Sequence, residues 1–241
     1  MSSDEAEDAS VQSDAEERIL STGLLTIRLE RLIKRVLSSP LQREFLTRAE
    51  LRVPKHLDTR DMGRAVMDKV NTMDTERMIQ LLKEAMFCQL RAASERASWY
   101  TFALHGQAVV TSPRGRRKIA RHIEHALDGT ADALVDRLQE AVWVVLFSRH
   151  QLQGLKSARR HTPVTATALV WYPGEPALYC SRPKPAGRLL AAVSAGLGFS
   201  EARPYPLSGR KLSTMRLMFT AKKSRRFHDC ELPADEYPLE M

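Results

Sequence analysis

Residues 141–147 read AVWVVLF, an unbroken apolar run made mostly of β-branched and aromatic side chains. Such a run fits a pleated, buried strand better than a helix, whose apolar residues recur every three or four positions. TATALVWY (165–172) repeats the signal, and EPALYCS (175–181) follows it after Pro173-Gly174, so these two are expected to form a hairpin. GRLLAAVSAGLGF then reads as a helix ended at Gly196 or Gly198. KLSTMRLMFTA fits strand and helix equally. The second half is therefore expected to be a small α+β unit with a mainly antiparallel sheet.

Upstream the period is helical. In LLTIRLERLIKRVLSSP, Leu25, Leu29, Leu32, Ile33 and Val36 share one face, and Pro40 stops the run. PLQREFLTRAEL and DTRDMGRAVMDKV give two shorter helices. MDTERMIQLLKEAMFCQL gives a longer one, with Asp74 as N-cap and Met78, Leu81, Leu82, Ala85 and Met86 turned inward. SERASWYTFAL closes the set as a last helix. HGQAVVTSPRGRRKI reads as a linker, followed by a helix from about Arg116 to Leu127 and a second from Thr130 to Gln139. The expected organisation is an acidic tail over 1–20, a helical bundle over 21–105, a linker over 106–115, a basic α+β domain over 116–221, and a basic-then-acidic tail over 222–241.

Charge is distributed unevenly. The net charge is +8, yet residues 1–17 hold seven acids and no base, so the rest of the chain carries +15. From Lys156 to His228 there are fourteen Lys/Arg against two acids, Glu175 and Glu201. A solvated surface normally mixes both signs, and a segment this lopsided suits a polyanion, nucleic acid before an acidic membrane. The tail 1–20 reads as a tether, or as a competitor for the chain's own basic surface. No run of eighteen apolar residues is present, so no membrane span is expected, and no amphipathic lipid-binding helix accompanies the charge, so no membrane partner is expected.

Enzymatic signatures are sparse. Cys88, Cys180 and Cys230 lie far apart and read as reduced thiols. His122 and His125 share a helix face without a third ligand, and no nucleophile-elbow, phosphate-loop or dinucleotide motif occurs. No catalytic residue, cofactor or metal is expected. The remaining constellations are basic. Arg28, Arg31 and Arg35 share a face of the first helix, with Glu30 and Lys34 beside them. Lys156, Arg159, Arg160 and His161 form an arm before a strand. Arg182, Lys184 and Arg188 surround two prolines, and Arg210 and Lys211 follow Gly209, expected to make a turn. KKSRRF (222–227) also reads as a nuclear-import signal. Few aromatic residues intersperse these cations, which favours duplex backbone over stacked single strands.

LIKRVLSSP, AVWVVLF, RRHTPVTATALVWYPGEPALYCS and LSGRKLSTMRLMF, in that order and spacing from about Leu24 to Lys223, resemble the centromere protein N family of kinetochore subunits. The resemblance implies a pyrin-like, death-fold bundle followed by an α+β domain with a basic groove. It also implies a nuclear, non-enzymatic inner-kinetochore subunit that binds the nucleosome carrying the centromere-specific histone H3 variant, at the centromere, in support of chromosome segregation. By that pattern Lys34 and Arg35 match the family's Lys-Arg pair. Arg210 matches its turn arginine and Arg160 a lysine before the central strand, while Lys184 and Arg188 occupy a loop where the family has an Arg pair at different spacing. Two positions that are acidic in the family are Ile27 and Arg31 here, leaving Glu30 as the nearby carboxylate. The family continues into a region that pairs with centromere protein L. This chain closes on ELPADEYPLEM soon after its basic segments, which leaves that partner open. The runner-up reading is a general RNA- or duplex-binding accessory protein, and a third is a death-fold module for self-association.

Overall fold

The computed structural model describes residues 23, 25–54, 56–106, 115–153 and 164–229. The chain runs through α1 (residues 25–37), α2 (Gln42–Arg48), α3 (Thr59–Val70), α4 (Thr75–Ala92), β1 (Ser98–His105), α5 (Gly115–Ala126), β2 (Ala131–Leu138), β3 (Ala141–Ser148), α6 (Arg149–Gln153), β4 (Ala166–Trp171), β5 (Ala177–Cys180), α7 (Gly187–Gly196), β6 (Glu201–Arg210) and α8 (Leu212–Asp229). The protein is α+β, and the six strands form one antiparallel sheet in the order β2-β3-β4-β5-β1-β6.

The composition of AVWVVLF follows from where β3 lies. Trp143, Val145 and Phe147 join a core with α1–α4 and α8, while Val142, Val144 and Leu146 join a second core with α5 and α7. Helices cover both faces, so both sides of the strand are apolar and no polar alternation is left to read. The first core runs from Leu25 to Phe219 and includes Trp143. Trp143 meets Trp99 edge to face at 6.1 Å and Phe87 at 6.3 Å, joining β3, β1 and α4.

The helices of the first half form where their spacing requires, and Asp74 caps α4 by accepting from the Arg77 N–H. The β4–β5 hairpin and α7 also form as expected, with Leu169 opposite Cys180. Two predicted helices are strands instead. SERASWYTFAL contains β1, which pairs with β5 on one side and β6 on the other. Its Trp99 faces one core while Phe102 and Leu104 face the other, a period of two that the preceding helical run masks. The segment expected as a helix from Thr130 to Gln139 is β2, paired with β3 along its whole length. KLSTMRLMFTA is resolved as helix: Leu212, Met215 and Phe219 bury one face of α8 at three- and four-residue spacing. The expected tail at 1–20 and most of the linker, 107–114, lie outside the described residues; of the tail expected over 222–241, residues 222–229 instead continue α8, and 230–241 lie outside the described residues.

Ionic contacts on β2 tie the bundle to the sheet. Asp136 accepts from Arg48 of α2 and Arg116 of α5, and Arg48 Nε also donates to Glu84 of α4 at 2.7 Å. Asp132, on the same strand, accepts from Lys83 at 2.6 Å and from Arg149 at 2.8 Å. Between them the Ala133 N–H donates to Glu124 at 2.9 Å. At the opposite edge, Pro204 and Pro206 of β6 have no N–H to offer a further strand.

On the other face α5 and α7 approach closely at Gly196. A Cβ there meets Ile123 Cγ1 at 2.9 Å, and Ile123 is fully buried. Gly196→Ala is therefore expected to cost about 1–3 kcal/mol, because a packed side chain must shift. Urea unfolding measures this, and an unchanged midpoint contradicts the close packing.

Candidate nucleic-acid interface

The strand register brings distant basic segments to one end of the sheet. Tyr100, near the start of β1, pairs with Cys180 at the end of β5 and with Ser208 near the end of β6. The loop carrying Arg182 and Lys184 and the turn carrying Arg210 and Lys211 therefore leave the sheet at the same end. Only β1 separates them, about 10 Å at two strand spacings. Leu169 pairs with Cys180 from the other side, so the chain enters β4 at this end too. The arm residues Lys156, Arg159, Arg160 and His161 precede that entry and lie outside the described residues.

Arg182, Lys184, Arg210 and Lys211 are exposed, and none has a carboxylate partner among the described residues. The backbone delivers the last pair differently from the sequence expectation. Gly209 lies inside β6 opposite Trp99, and the chain turns at Lys211, whose φ is +67°. Gly209 serves instead as a close-approach point, since a Cβ there meets Met215 Sδ at 2.9 Å. Arg188 is the second residue of α7 and points to the α5 side. It pairs with Asp128 and donates to the Ala126 carbonyl at 3.4 Å, apart from Arg182 and Lys184.

Helix α1 contributes a second basic element. Arg28, Arg31 and Arg35 line a groove of about 330 Å³ against α4, whose Leu82 and Met86 form its floor with Leu32. Val164, where the described chain resumes after the arm, lines the same groove. Glu30 and Lys34 lie outside the groove and pair with each other at 2.7 Å, and the Lys34 ammonium holds the Glu30 carboxyl below its usual range by hydrogen bond and charge.

Three cations were not singled out from the sequence. Arg117, Lys118 and Arg121 are exposed on α5 beside a cleft at the β2 edge, whose acids Glu84 and Asp136 are already paired with Arg48 and Arg116. The signal for Arg117 and Lys118 was GRRK, which read as linker charge because it adjoins Ser112-Pro113, and Arg121 follows one turn later.

Burial pushes the free Cys88 thiol up to about 12 and Cys180 up to about 11, so neither is a thiolate at neutral pH. Cys230 lies outside the described residues. Among the described residues no three ligating side chains gather as a metal site, and His122 and His125 are exposed on α5. No described helix is long and apolar enough to cross a membrane. A cavity of about 580 Å³ between the bundle and α8 is lined by Arg91 and Arg216, paired with Glu44 and with Glu140 and Glu175. What the strand-end cations Arg182, Lys184, Arg210 and Lys211 offer chemically is positive charge without a carboxylate partner among the described residues. No protein-family profile matches the chain, and no curated protein matches it in sequence.

Proposed function

We propose that the chain is a non-enzymatic, nucleosome-binding subunit of the inner kinetochore, nuclear and centromeric, built as a pyrin-like bundle on a basic α+β domain. The observation that carries this reading is the convergence of two basic segments, the Arg182–Lys184 loop and the Arg210–Lys211 turn, at the end of the sheet where the chain enters β4. Lysines and arginines there displace counterions from wrapped DNA and supply affinity without reading bases. Helix α1 and Arg210 meet the histone surface and supply selectivity for the centromere-specific variant. Glu30 takes part by releasing Lys34, since an exposed pair of this spacing opens at little cost. Other inner-kinetochore subunits are the further partners of this reading. Centromere protein L is one of them if the residues that pair with it are present.

Arg210→Ala and Arg35→Ala are expected to reduce the preference for variant over ordinary nucleosomes. Measured side by side at fixed salt, equal losses on both particles would demote these residues to DNA contacts. The second reading, a general RNA- or duplex-binding protein, is favoured by Arg117, Lys118 and Arg121, because these cations lie on α5 rather than at the strand ends. Competition among variant nucleosome, naked duplex and structured RNA separates the two.

A further inference from the structure

The α1–α4 groove differs in chemistry from the strand-end cations. Three arginines rim it, its floor is apolar, and no carboxylate lines it among the described residues. Leu82 is buried, and Leu32 and Met86 are packed against the bundle core while still facing the groove. A bare phosphate backbone has no use for an apolar floor. An acidic peptide with an apolar side chain between its carboxylates uses both parts: the arginines take carboxylates by paired hydrogen bonds and the floor takes the apolar group.

Such a segment is present in the same chain. EDASVQSDAEE, residues 7–17, places Val11 between Asp8 and Asp14, with Glu7 before them and Glu16 and Glu17 after, and contains no base. It also precedes the groove by a short stretch of chain. From Gly23, already helical, to Arg35 the helix advances about 18 Å, whereas the nine residues from Asp14 to Gly23 reach up to about 30 Å when extended. The segment can turn back along α1 and cover all three arginines with chain to spare.

We infer that residues 7–17 dock in the α1–α4 groove against Arg28, Arg31 and Arg35 and occupy it until a polyanion displaces them. The docking is an internal equilibrium whose effective concentration is in the millimolar range for a link this short. Individually weak carboxylate–guanidinium contacts are enough at that concentration. The effect on nucleic-acid binding rests on the function proposed above; the docking itself does not.

The test begins without nucleic acid. The receptor is the full chain with the seven tail acids replaced (D4N, E5Q, E7Q, D8N, D14N, E16Q, E17Q), and the probe is a fluorescent peptide of residues 1–22. Saturable binding that weakens with salt is expected, and it should be lost when Arg28, Arg31 and Arg35 are changed to Ala in the receptor. A second peptide carrying the same amide replacements should not bind, which keeps the test valid if the triple-Ala protein fails to fold. Absence of saturable binding at low salt, or undiminished binding to a folded triple-Ala receptor, overturns the docking. With a 30-base-pair duplex, the neutral-tail protein is expected to bind about tenfold tighter than the natural chain, and this gain should vanish in the triple-Ala background. A gain that persists there overturns the groove as the docking place. If neither protein binds duplex while the peptide still docks, the nucleic-acid reading fails and the docking stands.

Discussion

Raising salt from about 50 mM to about 200 mM is expected to weaken binding to nucleosomal DNA on the order of a thousandfold or more. The size follows from the number of cations the surface can bring to phosphates. Arg182, Lys184, Arg210 and Lys211 are exposed at one sheet end, Arg31 and Arg35 are exposed on α1, and the arm adds Lys156, Arg159 and Arg160. Roughly six to ten neutralised phosphates give a logarithmic slope near −0.9 per phosphate. Replacing Arg182, Lys184, Arg210 and Lys211 by Ala should make the slope shallower by about one for each phosphate that no longer meets a cation. Contacts to the backbone alone, as proposed, should make the loss similar for duplexes of different sequence. Fluorescence anisotropy across a salt series measures both quantities. An affinity that barely changes over this range, or a slope unaffected by the four substitutions, contradicts an electrostatic interface at the strand ends.

The second large effect concerns stability. Asp136→Ala is expected to destabilise the fold by about 3 kcal/mol, a hundredfold or more in the folding equilibrium. Arg48 has a side chain only 17% exposed and sits over the Phe87 ring at 4.3 Å, so it cannot swing into water when Asp136 is removed. Burial disfavours the Arg48 cation, yet the carboxylates of Glu84 and Asp136 more than offset this and raise its pKa. Deleting one of them leaves part of that desolvation uncompensated. Asp136→Asn, which keeps a hydrogen-bond acceptor, should cost less.

Asp132 adds a pH signature to the same strand. Burial raises its pKa, but the hydrogen bonds and charges of Lys83 and Arg149 outweigh burial, and the net shift is downward. A carboxyl lowered in the folded state stabilises above the unfolded value of about 4 and loses that contribution as pH falls through the lower folded value. Asp132→Asn should therefore flatten the acid side of the stability profile. Urea titrations over a pH series from the acid range to neutrality measure all of these. A loss below about 1 kcal/mol for Asp136→Ala would show that the bundle and sheet hold together without the ionic staple.

What could be read from the sequence was what is local. The β4–β5 hairpin needs only a Pro-Gly turn between two β-branched runs, and α4 announces itself through Asp74 and its apolar stripe. β1 could not be read this way because both its partners, β5 and β6, lie far downstream, and its apolar residues continue a helical series without a break. β2 carries Asp132, Asp136 and Arg137, a polarity that suits a helix face. It is a strand because β3 pairs with it and because cations from four helices neutralise its acids. The basic residues of the candidate site were visible as charge, but their grouping was not. Arg188 looks like a neighbour of Lys184 in the sequence, and its pairing with Asp128 sixty residues earlier turns it to another side. Arg182 and Arg210 look unrelated in the sequence, and the pairing of Tyr100 with both Cys180 and Ser208 makes them neighbours.

The most direct measurement is equilibrium binding to reconstituted nucleosomes, variant and ordinary, at physiological ionic strength. The account predicts binding to both particles, tighter to the variant, and abolished when Arg182, Lys184, Arg210 and Lys211 are replaced by Glu in a protein that still melts cooperatively. Failure to bind either particle, or binding that survives the four reversals, would contradict it.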